Sequence, residues 1–363
     1  MKLVSIQSLQ PGICLAKAIL NEHGQVLINT GIPLTETIIN RLIKRGITFV
    51  YIDDIRTNDL EVNATIPFEL RKKAVDAVKR VFVSLQKNQH IKQVALFEKS
   101  INEVQEVGKE LVKQITNNNE ILSLLADVYI YDNYVFSHSV NVTLYALALG
   151  KEMGLSERNL EKLGSGCILH DVGKMLIPQE VLNKPDKLTK EEFELMKRHT
   201  TYGFELLKGT SNVSTLSAYC AYQHHERLDG SGYPLGIGEK EIHSFCKILA
   251  IADVYDAVTS NRVYRKAMLP HEGLEILYAG AGSQFDAAMI SAFRRAIAVY
   301  PVGLGVTLND ARKGIVSKQN DGLSDRPFVR ILEENNKPLK ETYEVDLKKN
   351  PTVMIVDSDL TLR

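Results

Sequence analysis

Residues 163–174 read LGSGCILHDVGK, an apolar helical run that ends in the doublet His170-Asp171. The apolar residues of this run are predicted to be buried. A carboxylate at the end of a buried helix costs free energy unless it is paired or binds a cation. The turn that follows brings the ammonium group of Lys174 close to the same carboxylate. This stretch therefore predicts a helical core with a charged, ligand-bearing site at its edge.

Further candidate ligands lie on both sides of this doublet, on segments that are also predicted to be helical. They are His138, His199, His224, His225 and Asp253. Each of them alone would more often be a core or surface residue without a ligand. With the doublet they make five histidines and two acids, which offer the nitrogen and oxygen ligands that suit Fe, Mn or Zn. A single tetrahedral zinc takes four ligands, so this larger set predicts at least two ions with Asp171 as the shared bridge.

Such a pair of ions suggests hydrolysis of a phosphodiester. Two ions about 3.5–4 Å apart turn a bridging water into hydroxide and neutralise charge on the phosphate under attack. Lys174 follows the doublet closely and can contact that phosphate. Three more basic residues come after Asp253, namely Arg262, Arg265 and Lys266. The alternative for these three is a solvated helix end, where the helix dipole favours basic side chains.

The composition argues against two broad classes of protein. The chain has 363 residues, with 44 basic and 44 acidic side chains and therefore no formal net charge. A general nucleic-acid binder would carry a basic excess, so that role is not expected. The chain contains no run of about 18 apolar residues, so no membrane span is expected. The N-terminus lacks the apolar core of a signal peptide and the cysteines are scattered as in reduced proteins, so a cytoplasmic protein is expected.

The apolar pattern divides the chain into four predicted parts. Residues 1–62 form a small α+β module, 63–120 a helical linker, 121–300 the ligand-bearing helical domain and 301–363 a small β domain. The expected fold class is mainly α, an all-helical bundle flanked by these two small modules. Strands are predicted at 25–28 and 47–52, with a helix between them that Thr35 caps. Further strands are predicted at 306–308, 314–316, 328–332, 343–345 and 353–356.

Two apolar stripes in the linker have helical spacing. The first comprises Ala74, Val78, Val81 and Leu85, and the second comprises Ile101, Val104, Val107, Leu111 and Ile115. Such stripes usually face a core. Their spacing near 3.5 residues leaves the seam of a homodimer as the alternative.

The candidate ligands and one loop together resemble the HD-GYP group of the HD phosphohydrolase superfamily. The resemblance rests on His138, HDVGK at 170–174, His199, HHERLDGSGYP at 224–234 and Asp253. It covers about residues 121–298, roughly half of the chain. The doublet alone is moderately specific. The doublet joined to a glycine-rich loop that ends in Gly232-Tyr233-Pro234 is highly specific.

This resemblance implies an HD-type bundle that hydrolyses cyclic di-GMP to linear pGpG, and in many members onward to GMP, at a centre of two or three metals. One ion would be held by His138, His170, Asp171 and Asp253. The other would be held by His199, His224 and His225, with Asp171 shared. Iron or manganese is expected, with zinc, nickel or magnesium as alternatives. Some members bind a third metal through a glutamate where this chain has Tyr134, so two ions are expected here.

The resemblance also implies how substrate and partners bind. Asp171 and Lys174 would be catalytic, and Lys174, Arg262 and Arg265 fall where members contact substrate phosphates. The loop of Gly232, Tyr233 and Pro234 would lie beside the pocket and is linked to protein partners, a diguanylate cyclase being the expected type. Two alternatives stay open: a receptor or scaffold without turnover, and a hydrolase of a related cyclic dinucleotide.

Overall fold

The computed structural model describes residues 1–21, 25–62, 64–86, 91–118, 122–124, 128–130, 134–260, 267–320 and 322–361. These residues form a helical bundle, a small N-terminal α+β module and a C-terminal sheet. The predicted fold class, a mainly α protein with a small module on each side of the bundle, is therefore confirmed.

The N-terminal module combines short strands with one helix. Its elements are β1 (Lys2–Ser5), β2 (Ile19–Asn21), β3 (Val26–Ile28), α1 (Glu36–Lys44) and β4 (Phe49–Ile52). Strand β1 pairs antiparallel with β4, and β2 pairs antiparallel with β3. Thr35 caps α1 as predicted, because its hydroxyl oxygen accepts a hydrogen bond from the Ile38 amide at 3.3 Å.

A short strand corrects the prediction that residues 121–298 are almost wholly helical. Strand β5 (Val128–Ile130) lies beside β2 and pairs with it in parallel. Its three residues favour β structure, but a run this short shows no periodicity that a sequence pattern could reveal. The strand joins the N-terminal module to a segment that lies between helices of the bundle in the chain.

The bundle contains the remaining helices. They are α2 (Phe68–Gln86), α3 (Ile91–Asn117), α4 (Tyr134–Glu152), α5 (Glu157–Ile168), α6 (Gln179–Leu182), α7 (Lys190–Lys197), α8 (His199–Lys208), α9 (Thr215–Gln223), α10 (Ser244–Thr259), α11 (Pro270–Ala279) and α12 (Ala287–Ala296). One continuous apolar core runs through them. Helices α2 and α3 belong to this core, so the segment predicted as a linker is an integral part of the bundle.

The two apolar stripes of α2 and α3 face this core. Val78 and Val81 of α2 and Ile101 and Val104 of α3 are fully buried within the chain. The core interpretation of the stripes is therefore confirmed. Because their side chains are already covered, they offer no exposed seam, and a homodimer would have to use another surface.

The C-terminal sheet consists of five antiparallel strands in the order β10-β6-β7-β8-β9. They are β6 (Gly305–Leu308), β7 (Lys313–Lys318), β8 (Phe328–Glu334), β9 (Lys337–Asp346) and β10 (Ile355–Asp359). Each of the five predicted β runs overlaps one of these strands, because alternating apolar residues and turn residues mark them in the sequence.

The N-terminal module and the C-terminal sheet share one core. Leu3 and Tyr51 are each 1% exposed and pack with Leu304 of the C-terminal part. The Leu3 amide donates to the Gly303 carbonyl at 2.7 Å, and the Ser5 amide donates to the Leu360 carbonyl at 2.9 Å. The two flanking modules, which the sequence pattern separates, therefore form one layer.

This shared layer predicts the effect of Leu3→Ala. Truncation of a buried leucine should lower the free energy of unfolding by about 2–5 kcal/mol. It should also accelerate amide hydrogen exchange in β6, which lies more than 290 residues away in the chain. Leu27→Ala is the matched control, since Leu27 is 46% exposed and should change stability by less than about 0.5 kcal/mol. Unchanged exchange in β6 after Leu3→Ala would contradict the shared core.

Candidate metal centre

The His170-Asp171 doublet lies where the buried helix α5 ends. Leu163 and Cys167 on that helix are fully buried, as predicted. His170 has no exposed surface and Asp171 is 1% exposed. The chain continues directly into a short 3-10 helix, Val172–Leu176, so the doublet is held by regular structure on both sides.

Gly173 lets the doublet approach α8. A Cβ atom at this position would lie 2.0 Å from the His199 carbonyl oxygen and 2.5 Å from the Gly203 amide nitrogen. Both atoms belong to the backbone of α8, so they cannot move aside as a flexible side chain could. The glycine therefore sets how close the doublet comes to His199.

The structure gathers all seven predicted ligand residues in one place. His138 lies on α4, His199 begins α8, and Asp253 lies on α10. His224 and His225 follow α9 directly. His199, which alone resembles a surface residue of an amphipathic helix, is buried because α7 ends before it and a new helix begins.

Asp171 lies between two groups of imidazoles. Its Oδ2 atom is 3.4 Å from Nε2 of His170 and 3.7 Å from Nε2 of His138. Its Oδ1 atom is 3.5 Å from Nε2 of His199 and 3.8 Å from Nε2 of His224. Each carboxylate oxygen thus faces a different pair of rings.

Asp253 joins the same two groups on another side. Its Oδ1 atom is 3.1 Å from Nε2 of His138, and its Oδ2 atom is 3.8 Å from Nδ1 of His225. Ligand atoms of His138, His170 and Asp171, and separately of His199, His224 and His225, lie within 4.8 Å of one another. Each group is part of one of the two ligand sets that the family resemblance implies, and Asp253 contacts one ring of each group.

Backbone carbonyls fix the orientation of three of the rings. His170, His199 and His224 each donate from Nδ1 to the carbonyl oxygen of the residue three positions earlier, over 2.6, 2.7 and 3.0 Å. A ring that keeps its proton on Nδ1 presents a free lone pair on Nε2. In all three rings that Nε2 atom faces the centre.

A fourth ring is oriented by an acid that the sequence interpretation missed. Nδ1 of His138 is 2.7 Å from Oδ2 of the buried Asp256. Asp256 lies three residues after Asp253 on α10, so both acids point to the same side of that helix. That spacing is the signal that could have identified Asp256.

The ionisation states suit cation binding. Burial opposes ionisation of Asp171, yet the contacts with His170 and Lys174 outweigh it and hold the pKa of this carboxyl well below its usual range. Burial lowers the pKa of His199 to about 4. Burial likewise holds the pKa of His224 well below its usual value. Ionised carboxylates and neutral imidazoles are the forms that bind metals.

His138 differs because it lies between two acids. Burial disfavours its protonation, but its hydrogen bonds to Asp253 and Asp256 outweigh burial and raise its pKa to about 9. Without a cation, a proton on this ring compensates the two carboxylates. The site between Asp253 and Asp256 therefore favours a positive charge, supplied either by a proton on His138 or by a bound cation.

The arrangement fits a pair of cations. Two of the described atoms that are buried without a hydrogen-bond partner, Nε2 of His170 and Oδ1 of Asp171, belong to this cluster and face its centre. Such orphan atoms cost about 1–3 kcal/mol each unless they bind something. Donors that share an ion at about 2.1 Å lie about 3.0–3.4 Å apart. The separations of 3.1 to 3.8 Å within the cluster are close to that spacing.

Lys174 reaches the centre as predicted. Its Nζ atom is 2.5 Å from Oδ2 of Asp171, and its side chain remains partly exposed. An ammonium group that is paired on one side and open on the other can contact an anion that enters the site.

The glycine-rich loop is fastened beside the ligands. The buried Glu226, which the sequence interpretation did not single out, accepts hydrogen bonds from the Leu235 amide at 2.7 Å and the Ile237 amide at 3.2 Å. A Cβ atom at Gly232 would lie 2.4 Å from the Arg227 amide nitrogen, so the loop closes tightly on itself. The loop continues through Tyr233 and Pro234 along the edge of the cluster.

An aromatic and cationic group extends from this loop to the surface. The Tyr233 ring is 4.7 Å from the His225 ring and 6.2 Å from the Phe193 ring. Lys197 Nζ lies 5.2 Å from the centre of the Phe193 ring and 5.7 Å from that of Tyr233, within cation–π range. Phe193 is 47% exposed, so this edge is open to a ligand. The sequence does not mark Phe193 and Lys197 as site residues, because an apolar and a basic residue are both expected on an amphipathic helix.

Arg262, Arg265 and Lys266 lie outside the described residues. Among the helices of the described residues, none combines the length and the hydropathy that a membrane crossing requires.

Comparison with known proteins agrees with this geometry. Residues 113–289 match the family model of the HD domain, and residues 305–359 match that of a KOW domain associated with the HD domain. A cyclic di-GMP phosphodiesterase of Pseudomonas aeruginosa is 37% identical over 214 residues, 59% of this chain and 51% of that protein. A 3'3'-cGAMP-specific phosphodiesterase of Vibrio cholerae is 32% identical over 168 residues, 46% of this chain and 36% of that protein. The chain thus spans about half of the first relative and less of the second.

A solved structure has the same fold. It is a HDG"Y"P protein from Bdellovibrio bacteriovorus, with a TM-score of 0.52 and 18% identity over 80% of this chain and 97% of that one. Residues 113–289 thus match an HD domain, a class of metal-dependent phosphohydrolase domain. This match and the relatives named above confirm the resemblance to the HD-GYP group that was inferred from the doublet and the loop.

The close packing at Gly173 predicts the effect of Gly173→Ala. The added methyl group would collide with the backbone of α8, so we expect a loss of about 1–3 kcal/mol in the free energy of unfolding. Gly164→Ala is the matched control, since its Cβ would meet Leu147 at an ordinary 3.4 Å. Chemical denaturation of both variants measures the difference. Equal stability of the two variants would show that the close contact between Gly173 and α8 is not needed for the stability of the fold.

Proposed function

We propose that this chain is a metal-dependent phosphodiesterase that hydrolyses cyclic di-GMP to linear pGpG. The observation that supports this most is the position of Asp171, whose two oxygens face two different pairs of imidazoles. A carboxylate in that position can bridge two cations, and two adjacent cations are a common device for phosphodiester hydrolysis. The name of the Pseudomonas relative supports the choice of substrate.

Seven side chains would hold the two divalent cations. One set is His138, His170, Asp171 and Asp253, and the other is His199, His224 and His225 with Asp171 shared. Iron or manganese suits this mixture of nitrogen and oxygen donors, with zinc, nickel or magnesium as alternatives. When bound, such a pair supplies a hydroxide nucleophile and neutralises charge on the phosphate.

The chain's own residues would bind and orient the substrate. Lys174, whose ammonium is 2.5 Å from Asp171, is placed to donate to a phosphate oxygen and to stabilise the negative charge that develops on it. Arg262, Arg265 and Lys266 are the further phosphate contacts that we propose. The Tyr233 ring, which packs on His225, would form one wall of the entrance together with Gly232 and Pro234.

Three finer features complete the proposal. Release of pGpG rather than complete conversion to GMP is expected, because Tyr134 replaces the glutamate that binds a third metal in other members. The exposed edge of the Gly232-Tyr233-Pro234 loop is the surface we propose for a diguanylate cyclase-type partner. A homodimer through a surface other than the stripes of α2 and α3 stays part of the proposal.

A second candidate substrate is 3'3'-cGAMP. The Vibrio relative named for that substrate is nearly as similar over the HD domain as the Pseudomonas relative named for cyclic di-GMP. The cations would contact the phosphates, so the residues that hold them do not distinguish the bases. A receptor or scaffold without turnover is less well supported, since no predicted ligand is missing from the cluster.

The central test uses Asp171→Asn and His170→Ala. Each variant removes one metal-ligating group from the cluster, so turnover of cyclic di-GMP should fall below detection. The unmodified chain, purified, loaded with Mn or Fe and incubated with cyclic di-GMP and 3'3'-cGAMP, should release linear dinucleotide that chromatography resolves. Asp186→Asn is the matched control, because Asp186 lies exposed between α6 and α7. Near-normal rates for Asp171→Asn would exclude a bridging role, and a folded, metal-loaded chain without any turnover would favour the receptor.

Lys174→Ala tests the role of the ammonium group. If Lys174 stabilises developing charge, its removal should lower kcat by a factor of order 10² to 10³ while the metal content per chain stays unchanged. Lys184→Ala is the matched control, because Lys184 pairs with Glu192 at 2.6 Å, away from the cluster. Loss of metal from the Lys174→Ala variant would instead assign this residue to the stability of the centre.

A further inference from the structure

A buried arginine lies close to the metal centre and comes from outside the HD match. Arg71 is on α2, whereas the family model begins at residue 113. Only 7% of the residue is exposed, so its guanidinium group lies inside the bundle. Burial of this charge costs free energy unless polar groups compensate it. The identity of those groups indicates what the arginine does.

A continuous series of hydrogen bonds leads from Arg71 to a predicted metal ligand. Nη2 of Arg71 donates to Oδ1 of Asn141 on α4. Nδ2 of Asn141 donates to Oδ1 of Asp256 at 2.9 Å. Oδ2 of Asp256 then accepts the Nδ1 proton of His138 at 2.7 Å. Three helices thus contribute to one polar series that ends at the cluster.

Arg71 and Asp256 together fix the direction of these bonds. An asparagine amide has one accepting and one donating end, a guanidinium group can only donate, and an ionised carboxylate can only accept. The oxygen of Asn141 must therefore face Arg71, and its NH₂ group must face the Asp256 carboxylate. Without Arg71, the oxygen of Asn141 would lose this donor, and the amide would be held less firmly against Asp256.

The orientation of Asp256 in turn determines the state of His138. Ser260 also donates to Oδ1 of Asp256, at 2.8 Å, so two donors hold that oxygen and leave Oδ2 for the histidine. A carboxylate that accepts from Nδ1 keeps the proton there and leaves Nε2 free for a metal. Electrostatics agree with this proximity. Burial raises the pKa of the Tyr145 hydroxyl, Asp256 raises it further, and Arg71 lowers it, so both charges act on the same buried ring.

We propose that Arg71 is a positioning residue for the metal centre, which acts on His138 by fixing the amide of Asn141 and, through it, the carboxylate of Asp256. This inference rests on the proposed metal binding by His138. It makes α2, a helix outside the HD match, part of the machinery that sets the affinity of the centre.

The test measures Mn²⁺ binding to the metal-free full-length chain by calorimetry. Asp256→Asn should weaken binding by about 10- to 100-fold, the usual effect of losing a partner of a ligating histidine. Arg71→Met, one step further away, should weaken it by about 3- to 10-fold by the same reasoning. Arg71→Lys should recover most of this loss, because one donor is sufficient to hold the oxygen of Asn141. Lys73→Met, at an exposed position of the same helix, should have no effect.

A double-variant cycle separates this role from general stability. If Arg71 acts through Asn141, the double variant Arg71→Met/Asn141→Ala should bind Mn²⁺ no more weakly than Asn141→Ala alone. Additive losses, unchanged affinity in Arg71→Met, or an equal loss in Lys73→Met would overturn the proposal. Should Arg71→Met not fold, as thermal melting of the metal-free protein would show, the comparison rests on Arg71→Lys with Asn141→Ala. Failure of a folded Arg71→Lys variant to bind within about threefold of the unmodified chain would then overturn it.

A readout without metal distinguishes failure of this inference from failure of the proposed function. In the metal-free chain, the Nδ1 proton of His138 should give a slowly exchanging signal in proton–nitrogen correlation spectra, because Asp256 accepts it. This signal should persist in Arg71→Lys and Lys73→Met and should disappear in Asp256→Asn and Asn141→Ala. An altered Asn141→Ala spectrum with an unaltered Arg71→Met spectrum would contradict the role of Arg71, whether or not the chain binds Mn²⁺.

Discussion

A carboxylate that is almost completely removed from water is the constraint on which the centre depends. Asp171 is 1% exposed, and an ionised acid at such a position must be compensated from every side. Lys174 approaches one oxygen, and imidazoles from separate helices surround both. The acid therefore holds the helices that carry these groups in one arrangement. Gly173, two residues later, allows the chain to approach α8 closely enough.

The ends of helices orient the rings that surround this acid. The three Nδ1–carbonyl bonds all use carbonyl groups from the last turn of a helix, at the ends of α5, α7 and α9. Carbonyls in that turn lack the partners that the helix interior provides, so they are available to a side chain. The rigid backbone thus orients three imidazoles without additional side chains. His138 instead depends on the Asp256 carboxylate and, through it, on the amide of Asn141.

The sequence predicts the ligands better than their supports. Most of the candidate ligands form doublets or lie in apolar helices, where a polar residue is conspicuous. His199, in an amphipathic segment, is identified only together with the others. Glu226 holds the glycine-rich loop, and Asp256 orients the His138 ring. Which groups these two acids contact depends on the tertiary structure, and sequence spacing alone does not predict it. Arg71 illustrates the limit most clearly, because it lies 67 residues before His138 in the chain and is one of many basic residues in its helix. Most strands at the two ends were predicted individually, although β1 and β2 were not, whereas their common core depends on contacts across most of the chain.

The layer built from both ends of the chain has a topological consequence. Backbone hydrogen bonds join Ser5 to Leu360, and β5 enters the N-terminal sheet just before α4 begins. We call the layer formed by the N-terminal module and the C-terminal sheet the platform. The helical bundle is therefore inserted between the two halves of this platform and is not the second of three independent domains in a row. The chain passes between the platform and the bundle at four places, from β4 to α2, from α3 to β5, from β5 to α4 and from α12 to β6. A hybrid protein that exchanges the bundle would have to preserve all four connections. Force or ligand binding applied to the platform would be transmitted to the bundle through all of them at once.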